Sequence, residues 1–218
     1  MVSEHHISVT RTARYYTLGE LNNNTKDIWI LIHGHKQLAG KFILNFSELS
    51  DKGSFMITPE GLMRFYLQGD YGDIGASWMT KEDRESDIKD YVSYLDKLYF
   101  DFIEPKAKKF NLKINALGFS QGATTLSRWL SLGKAKIDKA VFWCGAVAHD
   151  VDFSKAQNLR QTEIHQVFAS NDQYYDANFP KQQKEILVKA GLNPKTYIFN
   201  GGHEVSVKLM KEAGLFSS

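Results

Sequence analysis

Short runs of apolar residues, mostly β-branched or aromatic, punctuate the chain, and each is stopped by a turn former. Ile28-Trp29-Ile30-Leu31-Ile32 is unbroken hydrophobe between Asn22-Asn23-Asn24 and Gly34. Phe55 to Thr58 ends at Pro59, Leu112 to Leu117 at Gly118, and Ala140 to Trp143 near Gly145. Ile164 to Ala169 runs into Ser170-Asn171-Asp172, and Thr196 to Phe199 into Asn200-Gly201-Gly202. Continuous rather than alternating runs mark strands covered on both faces, as in parallel sheets.

The stretches between them have helical spacing. Asp83 to Phe102 places Ile88, Tyr91, Val92, Leu95, Leu98, Tyr99 and Phe102 three or four residues apart, which predicts an amphipathic helix. Gln121 to Leu132 stops at Gly133, and Phe179 to Ala190 stops at Gly191 with Pro194 beyond, both helix-stop patterns. Strand and helix in alternation predict an α/β fold with a mostly parallel central sheet and helices on both faces. Ile7 to Leu18 alternates polar and apolar positions and is expected as an antiparallel hairpin at the sheet edge. Glu60 to Thr80 is rich in glycine and aromatics without a clear period. A loop of that length in a compact domain is uncommon and tends to be functional. It is expected either to pack on the core by its own aromatics or to form a substrate-pocket wall, with Trp78 as a lining residue.

Composition narrows the class. With 218 residues, no internal repeat and no linker, residues 1–218 are expected to form one domain with a possible pocket-lining excursion at 60–80. Lys and Arg number 27 against 25 Asp and Glu, a balance without the basic stripe of a nucleic-acid binder. One cysteine makes neither an internal disulfide nor a cysteine-based metal site. Met1 to Thr10 lacks the apolar core of a signal peptide, and no run approaches the length that spans a bilayer. The expectation is a cytoplasmic protein.

Chemistry enters at Gly118-Phe119-Ser120-Gln121-Gly122, which follows a strand-like run and precedes a helix-like stretch. That is the Gly-x-Ser-x-Gly nucleophile elbow in the context it requires. The sharp turn lifts the serine hydroxyl above the sheet edge, and the glycines remove Cβ atoms that would clash there. A serine needs a base. His203 in Gly201-Gly202-His203-Glu204 falls at the carboxyl end of the last strand-like run, the edge where ligands gather in parallel sheets. His149 beside Asp150 is the competing base. The base in turn needs a carboxylate to hold its tautomer. Asp172 follows the run Ile164 to Ala169 directly, giving the chain order Ser, Asp, His. Asp150, Asp152 and Asp176 are alternatives, with Asp176 read as a helix cap. The oxyanion of an acyl-transfer intermediate requires two backbone N–H donors. Gln121 supplies one position and His35, in His33-Gly34-His35-Lys36 after the first buried run, the other. Cys144 lacks a Gly-x-Cys-x-Gly frame and reads as a small buried hydrophobe.

Together these segments, from about Ile28 onward, resemble the phospholipase/carboxylesterase family of α/β-hydrolases, which includes serine esterases and acyl-protein thioesterases. The resemblance is carried by Ile32-His33-Gly34, Ala76-Ser77-Trp78, Gly118 to Gly122, Trp143-Cys144-Gly145, Asn171-Asp172-Gln173-Tyr174-Tyr175 and Gly202-His203-Glu204. It implies an α/β-hydrolase fold and a serine carboxylesterase with Ser120 as nucleophile, Asp172 as acid and His203 as base. It also implies His35 and Gln121 N–H groups in an oxyanion hole. Gly34-His35-Lys36-Gln37 stands where the family often has Gly-Leu-Gly. Tyr175 replaces a commonly small apolar residue and is expected to narrow the acyl side of the pocket. The expected partner is a small-molecule ester, with small acyl or aryl groups favoured, and no metal or organic cofactor is needed. Nucleic acid and a membrane span are not expected, and the oligomeric state is left open. A serine peptidase or amidase on the same residues and a non-catalytic binding protein are the alternatives.

Overall fold

The computed structural model describes residues 1–216; the last two positions of the expected 1–218 domain lie outside the described residues. The strands are β1 (Tyr15–Leu18), β2 (Asp27–Ile32), β3 (Ser54–Pro59), β4 (Met63–Gln68), β5 (Tyr71–Ser77), β6 (Lys113–Phe119), β7 (Lys139–Trp143), β8 (Glu163–Ala169) and β9 (Lys195–Phe199). The α-helices are α1 (Ala39–Phe42), α2 (Ser47–Ser50), α3 (Arg84–Leu98), α4 (Glu104–Phe110), α5 (Gln121–Leu132), α6 (Phe179–Lys189) and α7 (Val207–Glu212). A wider π turn, Tyr99–Ile103, joins α3 to α4.

The central sheet has the order β1-β3-β2-β6-β7-β8-β9. Every neighbouring pair in it is parallel except β1 with β3. β2 shows why the runs are continuous. Ile28, Ile30 and Ile32 pack on one face with α3 and α5 residues such as Tyr91, Leu95, Leu126 and Trp129. Trp29 and Leu31 pack on the other with Phe42, Phe46, Met210 and Leu215. Each such buried side chain contributes roughly 1.5–3 kcal/mol of apolar transfer energy. Helices therefore cover both faces, as the sequence predicts. No helix among the described residues is long and apolar enough to cross a membrane.

Two expectations are corrected. Ile7 to Leu18 does not fold as a hairpin: only Tyr15–Leu18 is a strand, paired antiparallel with Met56 to Pro59. Alternation alone does not make a strand without a partner edge, and Ile7 and Val9 stay 88% and 80% exposed. The segment Glu60 to Thr80 is not an irregular loop, since β4 and β5 form a two-stranded antiparallel hairpin. Gly69, at φ +64, lies between the two strands. Much of the hairpin is exposed, so no alternating pattern had to be written into it. Its base is tied down at both ends. Gln37 bridges Ala76, and the buried Glu60 carboxylate binds Arg14 Nε at 2.6 Å, Arg64 Nη1 at 3.3 Å and the Ala39 N–H at 3.3 Å.

Candidate active site

The loops that matter leave the carboxyl ends of β2, β6, β8 and β9, where parallel sheets expose their crevice. At the end of β6 the chain turns into α5 through Ser120, whose φ of 56° and ψ of −118° are costly for any residue with a Cβ. The turn is held by Ser120 N–H donating to Trp143 O at 2.9 Å and Ala123 N–H to Ser120 O at 2.9 Å. A Cβ on Gly118 would lie 2.2 Å from Gly122 O, and one on Gly122 would lie 2.1 Å from Ile32 O. Backbone cannot yield at such distances, so both glycines of the motif are required by close approach.

His203 meets the serine. Its Nε2 is 2.9 Å from Ser120 Oγ and its Nδ1 is 2.7 Å from Asp172 Oδ2. A carboxylate only accepts, so the proton sits on Nδ1 and Nε2 is left to face the hydroxyl. The Asp172 side chain is 4% exposed and that of His203 12%. Asp172 Oδ1 also accepts from the Tyr174 N–H at 2.9 Å. The loops carrying the two residues are laced together by Asn171 N–H to Gly201 O at 3.1 Å and Asn171 Nδ2 to Asn200 Oδ1 at 3.1 Å. Trp143 Nε1 donates to Glu204 O at 2.8 Å, and the His203 ring lies between Phe119 and Tyr174, with centroids at 4.9 and 4.6 Å. These supports were not visible in the sequence, because each depends on which loops the sheet order makes neighbours.

The alternatives lie elsewhere. His149 is exposed. Asp150 pairs with Arg128 and Arg84, and Asp152 accepts from Ser154 N–H at the start of a 3₁₀ turn. Asp176 accepts from Asn178 N–H at 2.8 Å, but the cap position of α6 is Asn178 and no side chain caps it, so Asp176 sits in the turn before the helix and not in the capping place read for it.

The loop after β2 packs against the elbow: a Cβ on Gly34 would lie 3.1 Å from Ser120 Cβ. Among the described residues, the N–H groups of His35 and Gln121 donate to no backbone or side-chain acceptor. His33 sets the loop. Gly61 N–H donates to its Nε2 at 2.9 Å, so Nδ1 carries the proton and donates to Gly34 O at 2.8 Å. Burial drives its pKa down to about 4, which keeps the ring neutral. Trp78 is 1% exposed, and its Nε1 donates to His33 O at 2.9 Å. The structure thus sets it beneath the loop; its outer side borders a cavity of about 630 Å³ with Leu62, Met63 and Tyr94. Tyr175 stacks on Phe179 at 3.7 Å, with its ring 6.3 Å from that of His203. Burial, and then Asp172, push its hydroxyl up to about 12.

Cys144 is buried beside Asp172. Burial, and then the Asp172 carboxylate, push its thiol up to about 12, which leaves it protonated and a poor nucleophile. Cys144, Asp172 and His203 each offer a ligand atom within 4.8 Å of the others. A metal there would have to displace the proton that His203 and Asp172 share and strip a thiol that holds its own.

This sheet, elbow and loop arrangement is that of an α/β-hydrolase. The phospholipase/carboxylesterase family model matches residues 60–217, and the chain belongs to that family of ester hydrolases. Its fold is similar to that of acyl-protein thioesterase 2 from Zea mays, at 15% identity over 93% of this chain and 96% of that one, with a TM-score of 0.71. It is also similar to esterase PE8, at 14% identity over 94% and 97%, TM-score 0.69. A third likeness is the Bacillus cereus carboxylesterase, at 17% identity over 92% and 91%, TM-score 0.66. No curated protein sequence matches the chain.

Proposed function

We propose that the protein is a serine esterase that cleaves carboxylic esters through an acyl-serine intermediate. The observation that carries this reading is the unbroken line from Asp172 Oδ2 through His203 to Ser120 Oγ, mounted on a strained elbow. His203 Nε2 takes the hydroxyl proton as Ser120 Oγ bonds to the ester carbonyl carbon. Asp172 stabilises the imidazolium that forms and keeps the ring in its productive tautomer. The carbonyl oxygen becomes an oxyanion that the His35 and Gln121 N–H groups receive. His203 then returns the proton to the departing alcohol. Water repeats the sequence on the acyl-serine, losing a proton to Nε2 and releasing the acid.

Aromatic side chains around the line favour small acyl or aryl esters. Tyr174 and Phe119 flank His203, and Phe65 of the hairpin stacks on His35 at 5.5 Å. Turnover of a small chromogenic ester tests the reading: it is expected in the wild type, lost in Ser120→Ala and retained in Cys144→Ser. Absence of turnover on short, long and aryl esters alike would contradict it.

A further inference from the structure

One hydroxyl outside the Ser–His–Asp line touches the side chains of both residues whose N–H groups would receive the oxyanion. Ser77, at the end of β5, is 1% exposed. Its Oγ lies 3.3 Å from His35 Nδ1 and 3.1 Å from Gln121 Nε2. It also lies 2.9 Å from Met79 O. Gln121 is bound on both sides of its amide: Oε1 accepts from Trp78 N–H at 3.2 Å, and Nε2 donates to Met79 O at 3.0 Å.

Ser77 Oγ is also 3.2 Å from Gln121 Oε1, but that oxygen already accepts from Trp78 N–H, and the shorter contact to Met79 O gives an assignment of protons that satisfies every group. The Ser77 hydroxyl donates to Met79 O, while Gln121 Nε2–H and His35 Nδ1–H donate to Ser77 Oγ. Both lone pairs and the single hydrogen of Ser77 are then used. The His35 ring is fixed on its other side by stacking on Phe65, and Lys36 N–H donates to Ala76 O at 2.9 Å. The oxyanion loop and the elbow come from β2 and β6, and the end of β5 is wedged against both.

We propose that Ser77 is a positioning residue that sets the separation and aim of the His35 and Gln121 N–H groups. It makes the β4–β5 hairpin part of the oxyanion apparatus. This rests on the serine-esterase reading and adds to it. Alanine at 77 removes the acceptor that orients the exposed His35 ring and leaves one hydrogen of the half-buried Gln121 amide without its partner, and each side chain re-orients to find another acceptor. Donors aimed at a developing charge tolerate little misplacement, since about 1 Å can cost on the order of a hundredfold in rate.

The test compares wild type, Ser77→Ala, Gln121→Leu and the double variant on a chromogenic ester. Each is also titrated with a trifluoromethyl ketone, which forms an oxyanion on the serine, and with the product alcohol, which does not. Ser77→Ala is expected to lower kcat about ten- to a hundredfold with KM nearly unchanged. The ketone should weaken in proportion and the alcohol hold its affinity. The double variant should lose little more than the worse single one, because both remove the same bridge. Unchanged kcat in Ser77→Ala, equal weakening of both ligands, or fully multiplicative losses would overturn the proposal. Should Ser77→Ala fail to fold, Gln121→Leu alone decides by the same kcat and ketone criteria. A wild type that turns over no ester and is never labelled at Ser120 overturns the esterase reading and this one with it. A labelled, active wild type with an indifferent Ser77→Ala overturns only this one.

Discussion

His203 Nε2 stands 2.9 Å from Ser120 Oγ across 83 residues of sequence. Two separate devices produce that approach. The elbow lifts the hydroxyl by forcing Ser120 to φ 56°, and the loop after β9 is pinned by Trp143 and by its bonds to the Asp172 loop. Removing either partner of the pair is expected to lower kcat by about 10⁴- to 10⁶-fold. Steady-state kinetics of Ser120→Ala and His203→Ala check this, with circular dichroism to show that the fold persists.

Strain at the elbow gives a prediction of opposite sign. Glycine adopts the φ and ψ of Ser120 at little cost, whereas serine and alanine adopt them only under strain. Ser120→Gly is therefore expected to be inactive and more stable than Ser120→Ala by about 1–2 kcal/mol. Urea unfolding of the two variants measures the difference; equal midpoints would mean that the turn stores no strain.

Gly122 allows no such freedom. A methyl group there would meet Ile32 O at 2.1 Å, and neither α5 nor β2 can retreat without opening the core. Gly122→Ala is expected to cost 3 kcal/mol or more, at the upper end of ordinary overpacking, which runs to about 3 kcal/mol. Its thermal midpoint, set beside that of Gly202→Ala, where an added Cβ meets nothing within 4 Å, shows whether the loss is specific to the elbow.

The strand order of the chemistry was legible because its signals are local. A β-branched run, Gly118 to Gly122 and a following helix fall within about twenty residues, and the boundaries of α5 match the pattern read for it. Gly202 and His203 were legible for the same reason. The hairpin was not, because its exposed strands need no periodicity and its fixing points, Glu60 with Arg14 and Gln37 with Ala76, are long-range. The edge strand was overextended because alternation in Ile7 to Leu18 says nothing about whether a partner edge exists. Ser77 and the ring of His33 were missed as supports for a further reason: their partners belong to other strands, and no spacing in the chain announces them.

His33 makes stability depend on pH. Its folded pKa of about 4 lies below the ordinary value of 6.5, so between these values the unfolded chain binds more protons. The stabilisation is complete above about pH 6.5 and declines as pH falls towards 4, by about 3 kcal/mol in all. His165, also lowered by burial, adds to the same slope. The His33 share is the difference in slope between wild type and His33→Gln, followed by urea unfolding from pH 7.5 to 4. Parallel curves would show that His33 is not held neutral.

Asp172 and Cys144 are neighbours with opposite expectations. Asp172→Asn preserves the shape but removes the anion that fixes the His203 tautomer, and kcat should fall by about 10⁴-fold. Cys144→Ser keeps a small hydrogen-bonding group in place of a protonated thiol and should retain kcat within about tenfold, since losses of about 10⁴-fold need a group in the reacting line. Turnover that follows Cys144 instead of Asp172 would reverse these assignments.

The most direct measurement is covalent. Wild-type protein treated with a fluorophosphonate, digested and sequenced by mass spectrometry is expected to carry one adduct, on Ser120, and the labelling rate should collapse in His203→Ala. An adduct on Cys144 or elsewhere, no adduct at all, or a rate indifferent to His203 would show that Ser120 is not the activated nucleophile.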